Sequence, residues 1–164
     1  MTGGLRSEFT DAVDSPGFMI WRVTNAWQAA QRAALAPFGL THVQFVLLAS
    51  LSWLAAESPV TQRDLAGHAH TDPMMTSQVL RALEAKGLIR RAHHPADGRA
   101  RAVTVTPEGA TLAYVANTAV ENTDRTFFAP LANQRQHFTE LLQRLAHSHP
   151  RSVVPLIAVP HADR

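Results

Sequence analysis

The hydrophobic pattern of the chain changes its period at Gly87. Before this glycine, apolar residues recur at spacings of three and four, which is typical of an amphipathic helix. After it, residues 88–92 and 102–106 alternate as strands do, and the intervening residues 94–98 contain an Asp-Gly turn dipeptide. The chain therefore has to place a β-hairpin over 88–106 directly after a helix. This restricts the fold to mainly helical architectures that carry one small hairpin.

Upstream of the hairpin, start and stop signals predict four helices. The last two are short, at about 61–68 and 72–86, and a tight turn separates them. The helix starts or caps are Phe18, the pair Thr41 and Gln44, the pair Thr61 and Asp64, and either Thr71 or Asp72.

Downstream of the hairpin, Thr106 and Pro107 start a long helix that Pro130 breaks, and a final helix follows over 133–147. These two helices carry more apolar surface than a small domain of this kind needs, which predicts that a second copy of the chain covers it. The apolar residues are Phe127, Phe128, Leu131, Phe138, Leu141, Leu142 and Leu145.

The two short helices have the order and spacing of a helix-turn-helix, in which the second helix enters the DNA major groove. The predicted fold is mainly α with a small β-hairpin wing, a winged helix-turn-helix flanked by N- and C-terminal dimerisation helices. The predicted parts are a flexible arm at 1–15, dimerisation helices at 16–40 and 107–150, a DNA-binding domain at 41–106 and a tail at 151–164.

Local charge favours DNA as a partner. The formal net charge is only +2, so any affinity for DNA has to come from clustering. Asp97 is the one acid between Gly87 and Glu108, and the hairpin concentrates basic side chains that suit phosphates and a narrow minor groove. An ordinary solvated hairpin is the alternative. The clustered residues are Arg90, Arg91, Arg99 and Arg101.

The helix at 72–86 has an apolar stripe and an opposite polar row. The stripe predicted to face inward is Met75, Val79, Leu80 and Leu83. The row predicted to face DNA is Met74, Ser77, Gln78 and Arg81. Gln78 suits adenine, and Arg81 suits guanine or a phosphate. For each residue alone, simple surface solvation is the competing interpretation.

The stretch from Thr61 to Gly109 resembles the MarR family of regulators, and the order of helices extends the resemblance over residues 18–148. Val105 stands where leucine is usual in that family. The matching motifs are Asp64-Leu65-Ala66, Val79-Leu80-x-x-Leu83-Glu84-x-Lys86-Gly87-Leu88-Ile89-x-Arg91, Asp97-x-Arg99 and Val105-Thr106-x-x-Gly109.

The resemblance implies an obligate homodimer, joined through its first and last helices, that binds a palindromic operator in double-stranded DNA. It implies that Arg99 enters the minor groove and that Asp97 holds a wing arginine in place. It places Ser77, Gln78 and Arg81 in the major groove. Thr61 and Gln62 would approach a phosphate at a helix N-terminus.

Many proteins of the family bind small aromatic acids or phenols between the dimerisation and DNA-binding parts. The residues placed to line such a pocket are Trp21, Trp27, His42, Phe45 and Trp53. A role in the core is the alternative for each of them.

The predicted function is a homodimeric repressor released by a small aromatic or phenolic ligand. A DNA-binding module without a ligand and a metal-responsive regulator are the alternatives, and a protein-interaction dimer that has lost DNA binding would have a neutral wing.

Several functional classes are disfavoured by what the sequence lacks. With no cysteine, thiol sensing and cysteine–metal sites are excluded. The nine histidines lack the spacing of a zinc site, so no metal is expected. No catalytic or cofactor motif is present, which predicts a protein that is not an enzyme and needs no cofactor. No signal pattern or apolar run of about 20 residues is present, which predicts a cytoplasmic protein without a membrane partner.

Overall fold

A computed structural model describes residues 7–54, 60–94 and 97–148. Its main elements are α1 Pro16–Leu35, α2 His42–Leu54, β1 Val60–Thr61, α3 Gln62–His68, α4 Pro73–Ala85, β2 Ile89–His94, β3 Asp97–Val105, α5 Pro107–Phe127 and α6 Arg135–Ser148. Three short 3-10 turns lie at Ala12–Asp14, Ala36–Phe38 and Ala129–Gln134. The predicted fold, mainly helical with a hairpin wing after a helix-turn-helix, is confirmed.

The caps of α2, α3, α4 and α5 form where the sequence places them. Thr41 and Gln44 exchange two hydrogen bonds of 3.2 Å, each from a backbone amide to the other side chain. Of the two candidates for α4, Asp72 is the cap, because its carboxylate accepts the amides of Met74 and Met75. Such contacts join residues at most four apart, so the local sequence suffices to predict them.

The end of the predicted N-terminal arm carries two helix caps. Asp11 and Asp14 form a capping box around the 3-10 turn Ala12–Asp14. Ser15 then caps α1 by accepting the amide of Phe18 at 3.4 Å. Within the predicted arm at 1–15, side chains of residues 11–15 thus satisfy free amides at the starts of two helices. The predicted tail at 151–164 lies outside the described residues.

The wing is part of a three-stranded antiparallel sheet with strand order β1-β3-β2. Val60 and Thr61 of β1 pair with Val103 and Ala102 of β3. The sequence predicted only the hairpin, because a two-residue strand is too short to show an alternating pattern. This extra strand ties the start of α3 to the base of the wing.

The wing is also fastened to α5. The hydroxyl of Thr106 donates to the Gly87 carbonyl at 2.7 Å and accepts the Gly109 amide at 3.1 Å. A side chain at position 109 would overlap the Leu88 carbonyl, so glycine is needed for this close approach. The Thr106-x-x-Gly109 pattern is therefore the joint between hairpin and helix.

One hydrophobic core runs through both predicted domains. Leu35 of α1 and Ala116 of α5 are as fully buried as the core residues of α2, α4 and β3. The end of α1 and the first half of α5 thus pack on α2, which in turn contacts α3 and α4. Among the described residues, the largest fully buried apolar side chains are Leu35, Leu47, Leu48, Leu51, Leu65, Leu80, Leu83, Ile89 and Val103.

Candidate functional site

Helix α4 presents an outward row that contains every residue predicted to face DNA. Met74 is 72% exposed, Gln78 and Arg81 are exposed, and Ser77 is partly exposed. Spacings of three and four residues place them along one side of the helix. A flexible thioether, an amide and a guanidinium are thereby available to a partner.

The opposite, buried side of α4 differs from the prediction at one position. Met75 is 40% exposed, whereas Thr76 is fully buried and lies in line with Leu80 and Leu83. The Thr76 hydroxyl donates to the Asp72 carbonyl at 2.7 Å and contacts the Thr71 hydroxyl at 2.7 Å. Because both contacts satisfy the hydroxyl, threonine is buried there at little cost. The assignment of Met75 to the inward stripe is wrong.

Arg91, one of the residues predicted to contact DNA, fastens the wing to α4. Its guanidinium contacts the Glu84 carboxylate at 2.8 and 2.5 Å, and its amide donates to the same carboxylate at 3.1 Å. Arg91 pairs with Val103 and so shares the inner face of the sheet with Ile89. The two-residue alternation from Ile89 was the signal that Arg91 points inward. The side chain connects the wing to α4, and its contact with DNA stays a prediction.

The ion pair also changes the ionisation of Glu84. The hydrogen bond from Arg91 is the largest of the causes that lower the pKa of the Glu84 carboxyl, and the charges of Arg91 and Arg101 add to it. A lowered pKa in the folded state stabilises the fold at a pH above the ordinary glutamate value. That contribution is lost as the pH falls through the lowered value.

We expect a double-mutant cycle of Glu84→Gln and Arg91→Met to give a coupling free energy of about 1 kcal/mol at pH 7, because two guanidinium nitrogens share one carboxylate oxygen but the pair is partly exposed to water. Urea unfolding at a series of pH values measures it. The coupling should vanish in acid. Glu8→Gln, at an exposed carboxyl near the N-terminus, is the control and should leave the stability unchanged. A coupling that persists when Glu84 is protonated would contradict the assignment.

The remaining wing residues keep their charge at the surface. Arg90 pairs with Thr104 and Arg101 with His93 across the strands, and all four side chains are exposed. The side chains of Asp97 and Arg99 lie outside the described part of the chain. Arg101 is therefore the predicted wing contact that the structure places at the surface.

At the start of α3, where a phosphate contact is predicted, part of the hydrogen-bonding capacity is already used within the chain. The Thr61 hydroxyl donates to the Asp64 carboxylate at 2.6 Å and accepts the Asp64 amide at 3.1 Å. The Thr61 amide donates to the same carboxylate at 3.2 Å. Since Asp64 already supplies a negative charge here, Thr61 acts as a cap, and partly exposed Gln62 is the better placed of the two to meet a phosphate.

An aromatic cluster joins α1, α2 and α5. The rings of Trp27 and His42 meet edge to face with centroids 4.9 Å apart. The Asp124 carboxylate accepts the Trp27 indole N–H at 2.7 Å and the Gln31 side-chain amide at 2.6 Å. Gln31 is fully buried. Burial, the largest cause, lowers the pKa of His42, which favours the neutral imidazole. The cluster thus combines a neutral ring pair with a carboxylate that two donors hold in place.

The sequence predicted Trp27 and His42 but missed Gln31 and Asp124. Gln31 follows Trp27 by four residues and so shares its side of α1, which was an available signal. Asp124 lies 97 residues from Trp27, and no local pattern connects them.

The other predicted pocket residues do not join this cluster. Phe45 is 5% exposed and belongs to the core. Trp21 is 67% exposed and Trp53 is 81% exposed, so the alternative of a core role is wrong for both. Trp53 follows His42 by eleven residues, which is about 16 Å along a helix. A single small pocket on this chain therefore does not contain all five residues.

An open apolar groove of about 480 Å³ lies between α1, the start of the Ala129–Gln134 turn and α6. No residue of α6 is buried. Its apolar residues Leu142 and Leu145 are 45% and 51% exposed. On α1, Ile20 is 55% and Val23 is 40% exposed. A contiguous apolar surface of this kind is typical of a protein interface.

Among the described residues, no three histidine or acidic side chains converge closely enough to hold a metal ion. Within the same residues, no single helix is long and apolar enough to cross a membrane, whereas the bent pair Pro16–Phe38 and His42–Leu54, at 75°, meets those criteria when both are taken together.

Comparison with known proteins connects this geometry to one family. The model of the MarR family matches residues 40–100. The HTH-type transcriptional regulator YdcH of Bacillus subtilis (strain 168) is 42% identical over 140 residues, covering 85% of this chain and 95% of YdcH. The HTH-type transcriptional repressor Rv2887 of Mycobacterium tuberculosis is 36% identical over 137 residues, covering 82% of this chain and 96% of the repressor. These relatives are named as transcriptional regulators, not as enzymes.

Solved structures show the same fold. A MarR family transcriptional regulator from Rhodococcus sp. RHA1 superimposes with a TM-score of 0.77 at 26% identity, covering 85% of this chain and 98% of that one. Rv2887 in complex with DNA superimposes with a TM-score of 0.63 at 32% identity, covering 80% and 98%. Rv2887 has also been solved with salicylic acid, with a TM-score of 0.61 and coverage of 80% and 96%.

Proposed function

The chain belongs to the MarR family of transcriptional regulators, and on that premise we propose that it is a cytoplasmic, homodimeric repressor that a small aromatic ligand releases from its operator. The observation that carries this proposal is the outward row of α4, where Gln78 and Arg81 are exposed beside a wing that bears Arg90 and Arg101. A helix presented in this way fits the major groove while the wing follows the backbone.

The proposed contacts follow from the chemistry of the exposed groups. Gln78 suits the paired donor and acceptor of adenine, and Arg81 suits the two acceptors of guanine. Ser77 and Gln62 offer hydrogen bonds to bases or phosphates. Arg101 and Arg99 supply wing charge, and Glu84 with Arg91 sets the angle between wing and α4. The unit at 41–106 thus reads DNA, while 16–40 and 107–150 bring two copies together.

Replacement of Arg81 by alanine should weaken specific DNA binding by about 1–3 kcal/mol per half-site, because one base-edge or phosphate contact is lost. Duplexes selected from a random pool are titrated by fluorescence anisotropy at several salt concentrations. Binding by the natural protein should fall steeply with salt.

Arg125→Ala, at an exposed arginine near the end of α5, is the matched control and should bind as the natural protein does. No selected sequence, or equal affinity for Arg81→Ala, would refute the assignment of α4 to the major groove.

The proposed dimer places a second copy in the groove between α1 and α6. Helix α6 has 14 residues and none of them is buried, and a helix of that length is marginal in water without a packing partner. A second chain would cover Ile20, Val23, Leu142 and Leu145 together. We expect two recognition helices held at a fixed spacing to bind half-sites about one DNA turn apart.

The proposed ligand site is the cluster of Trp27, His42 and Asp124, where the dimerisation helices α1 and α5 meet α2. Rv2887, solved with salicylic acid, supports an aromatic acid as the ligand class. A ligand at this junction would change the angle between the dimer helices and the DNA-binding unit, and so the spacing of the recognition helices. A DNA-binding protein without a ligand is the second candidate, because the rings of Trp27 and His42 already pack against one another.

Salicylate at ten times its Kd should raise the Tm by about 3–6 °C and release DNA, since binding to the folded state alone adds about 1.4 kcal/mol. Thermal shift and anisotropy competition measure the two effects. Trp27→Phe should reduce both responses, and Trp53→Ala, at an exposed tryptophan outside the cluster, should keep them. No shift and no release with salicylate or related aromatic acids would favour the candidate without a ligand.

A further inference from the structure

Two adjacent methionines stand exposed on the first turn of α4. Met74 is 72% and Met75 is 40% exposed, and neither belongs to the hydrophobic core. The buried side of this turn is formed by Thr76 instead. Two large apolar side chains at the N-terminal end of α4 thus present apolar surface outside the hydrophobic core of the described residues.

The backbone that carries these methionines is held rigidly. One oxygen of the Asp72 carboxylate accepts the Met74 amide at 2.9 Å and the Met75 amide at 3.0 Å. The Thr76 hydroxyl closes the same turn through the Asp72 carbonyl. The positions of both Cα atoms are thus fixed before any partner binds, which lowers the entropy cost of a contact made there.

The same cap determines which chemistry the turn offers. The amides that would otherwise meet a phosphate are already bonded, and the Asp72 carboxylate complements the positive end of the helix. What remains at the surface is two thioethers. Within the major groove, the apolar group on a base edge is the C5-methyl of thymine, and apolar side chains recognise it.

We propose that Met74 and Met75 read thymine methyl groups and so favour A·T pairs at fixed positions in each half-site. The inference rests on the proposed DNA-binding function and specifies what the start of α4 recognises. Gln78 lies three and four residues further along the same side, where it suits adenine. Met74, Met75 and Gln78 would thus together recognise both bases of A·T pairs.

Deoxyuridine provides the test, because it differs from thymidine only by lacking this methyl group. Each thymine in a selected duplex is replaced in turn, and affinity is measured by fluorescence anisotropy. We expect a loss of about fourfold at one or two thymines per half-site, and about fifteenfold when both half-sites are changed, as the burial of one methyl-sized group implies. Met74→Ala and Met75→Ala should bind the thymine and uracil duplexes equally at the position that each residue reads.

Met74→Leu and Met75→Leu are the matched controls, because leucine is also apolar and is also a good helix former. Both leucine variants should stay sensitive to the replacement of thymine by uracil. Specific binding that uracil leaves unchanged at every position would overturn this inference alone. A loss that persists in both alanine variants would overturn it as well. If the protein shows no sequence preference for any duplex, the proposed function fails and this inference fails with it.

Discussion

Replacing Leu142 and Leu145 with glutamate is expected to convert the protein to a monomer and to lower its affinity for operator DNA by about a hundredfold or more. Burial of one leucine contributes about 1.5–3 kcal/mol, and a symmetric interface contains both residues twice. Because Leu142 is 45% and Leu145 is 51% exposed in one chain, covering all four leucines supplies about half of the full-burial sum, roughly 3–6 kcal/mol. An unpaired carboxylate in their place opposes association further. A monomer also loses the gain in effective concentration that links two half-sites.

Sedimentation equilibrium and anisotropy titration measure the two effects on the same samples. The matched control is Gln136→Glu with Gln143→Glu, which adds the same charge to exposed positions on the opposite side of α6. This control should remain a dimer and bind DNA. A dimer of unchanged Kd in the leucine variant would show that the groove between α1 and α6 is not the interface.

Asp124→Leu should lower the free energy of unfolding by about 2–5 kcal/mol. Asp124 accepts hydrogen bonds from Trp27 and Gln31, and its loss leaves two donors unsatisfied, one of them on a fully buried side chain. Each unsatisfied buried group costs about 1–3 kcal/mol. For a chain of this length the expected decrease in Tm is about 5–15 °C.

Asp124→Asn separates the hydrogen bonds from the charge. The asparagine oxygen can still accept both donors, so this variant should lose about 1 kcal/mol or less. Urea and thermal unfolding compare the two variants under the same conditions. Equal destabilisation by asparagine and leucine would indicate that the negative charge, and not the pair of accepted hydrogen bonds, holds α1 against α5.

The site residues show which features of the site a local sequence pattern can predict. The outward positions Met74, Gln78 and Arg81 followed from the helical repeat, because exposure on one helix depends mainly on its phase. Met75 was assigned to the inward stripe because that stripe was drawn from apolar residues alone, whereas the structure buries Thr76 on this turn. The Thr76 hydroxyl finds its partners inside one turn, and a satisfied hydroxyl packs as readily as an apolar group.

The sequence alone determined the order of the elements, the capped starts of the helices and the concentration of arginine in the wing. These features depend on contacts between residues at most four apart or on a simple period, so no knowledge of distant packing is needed. The sequence placed the arginines in the hairpin. It did not predict that Arg91 pairs with Glu84 while Arg90 and Arg101 stay exposed.

The tertiary structure decided which of those residues act together. It paired Arg91 with Glu84, added β1 to the wing, and brought Asp124 to Trp27 across 97 residues of chain. Within the described residues, it also left Leu141, Leu142 and Leu145 of α6 exposed. Such contacts arise only when a shared core fixes the distance between elements, and their energies depend on burial that no local pattern records.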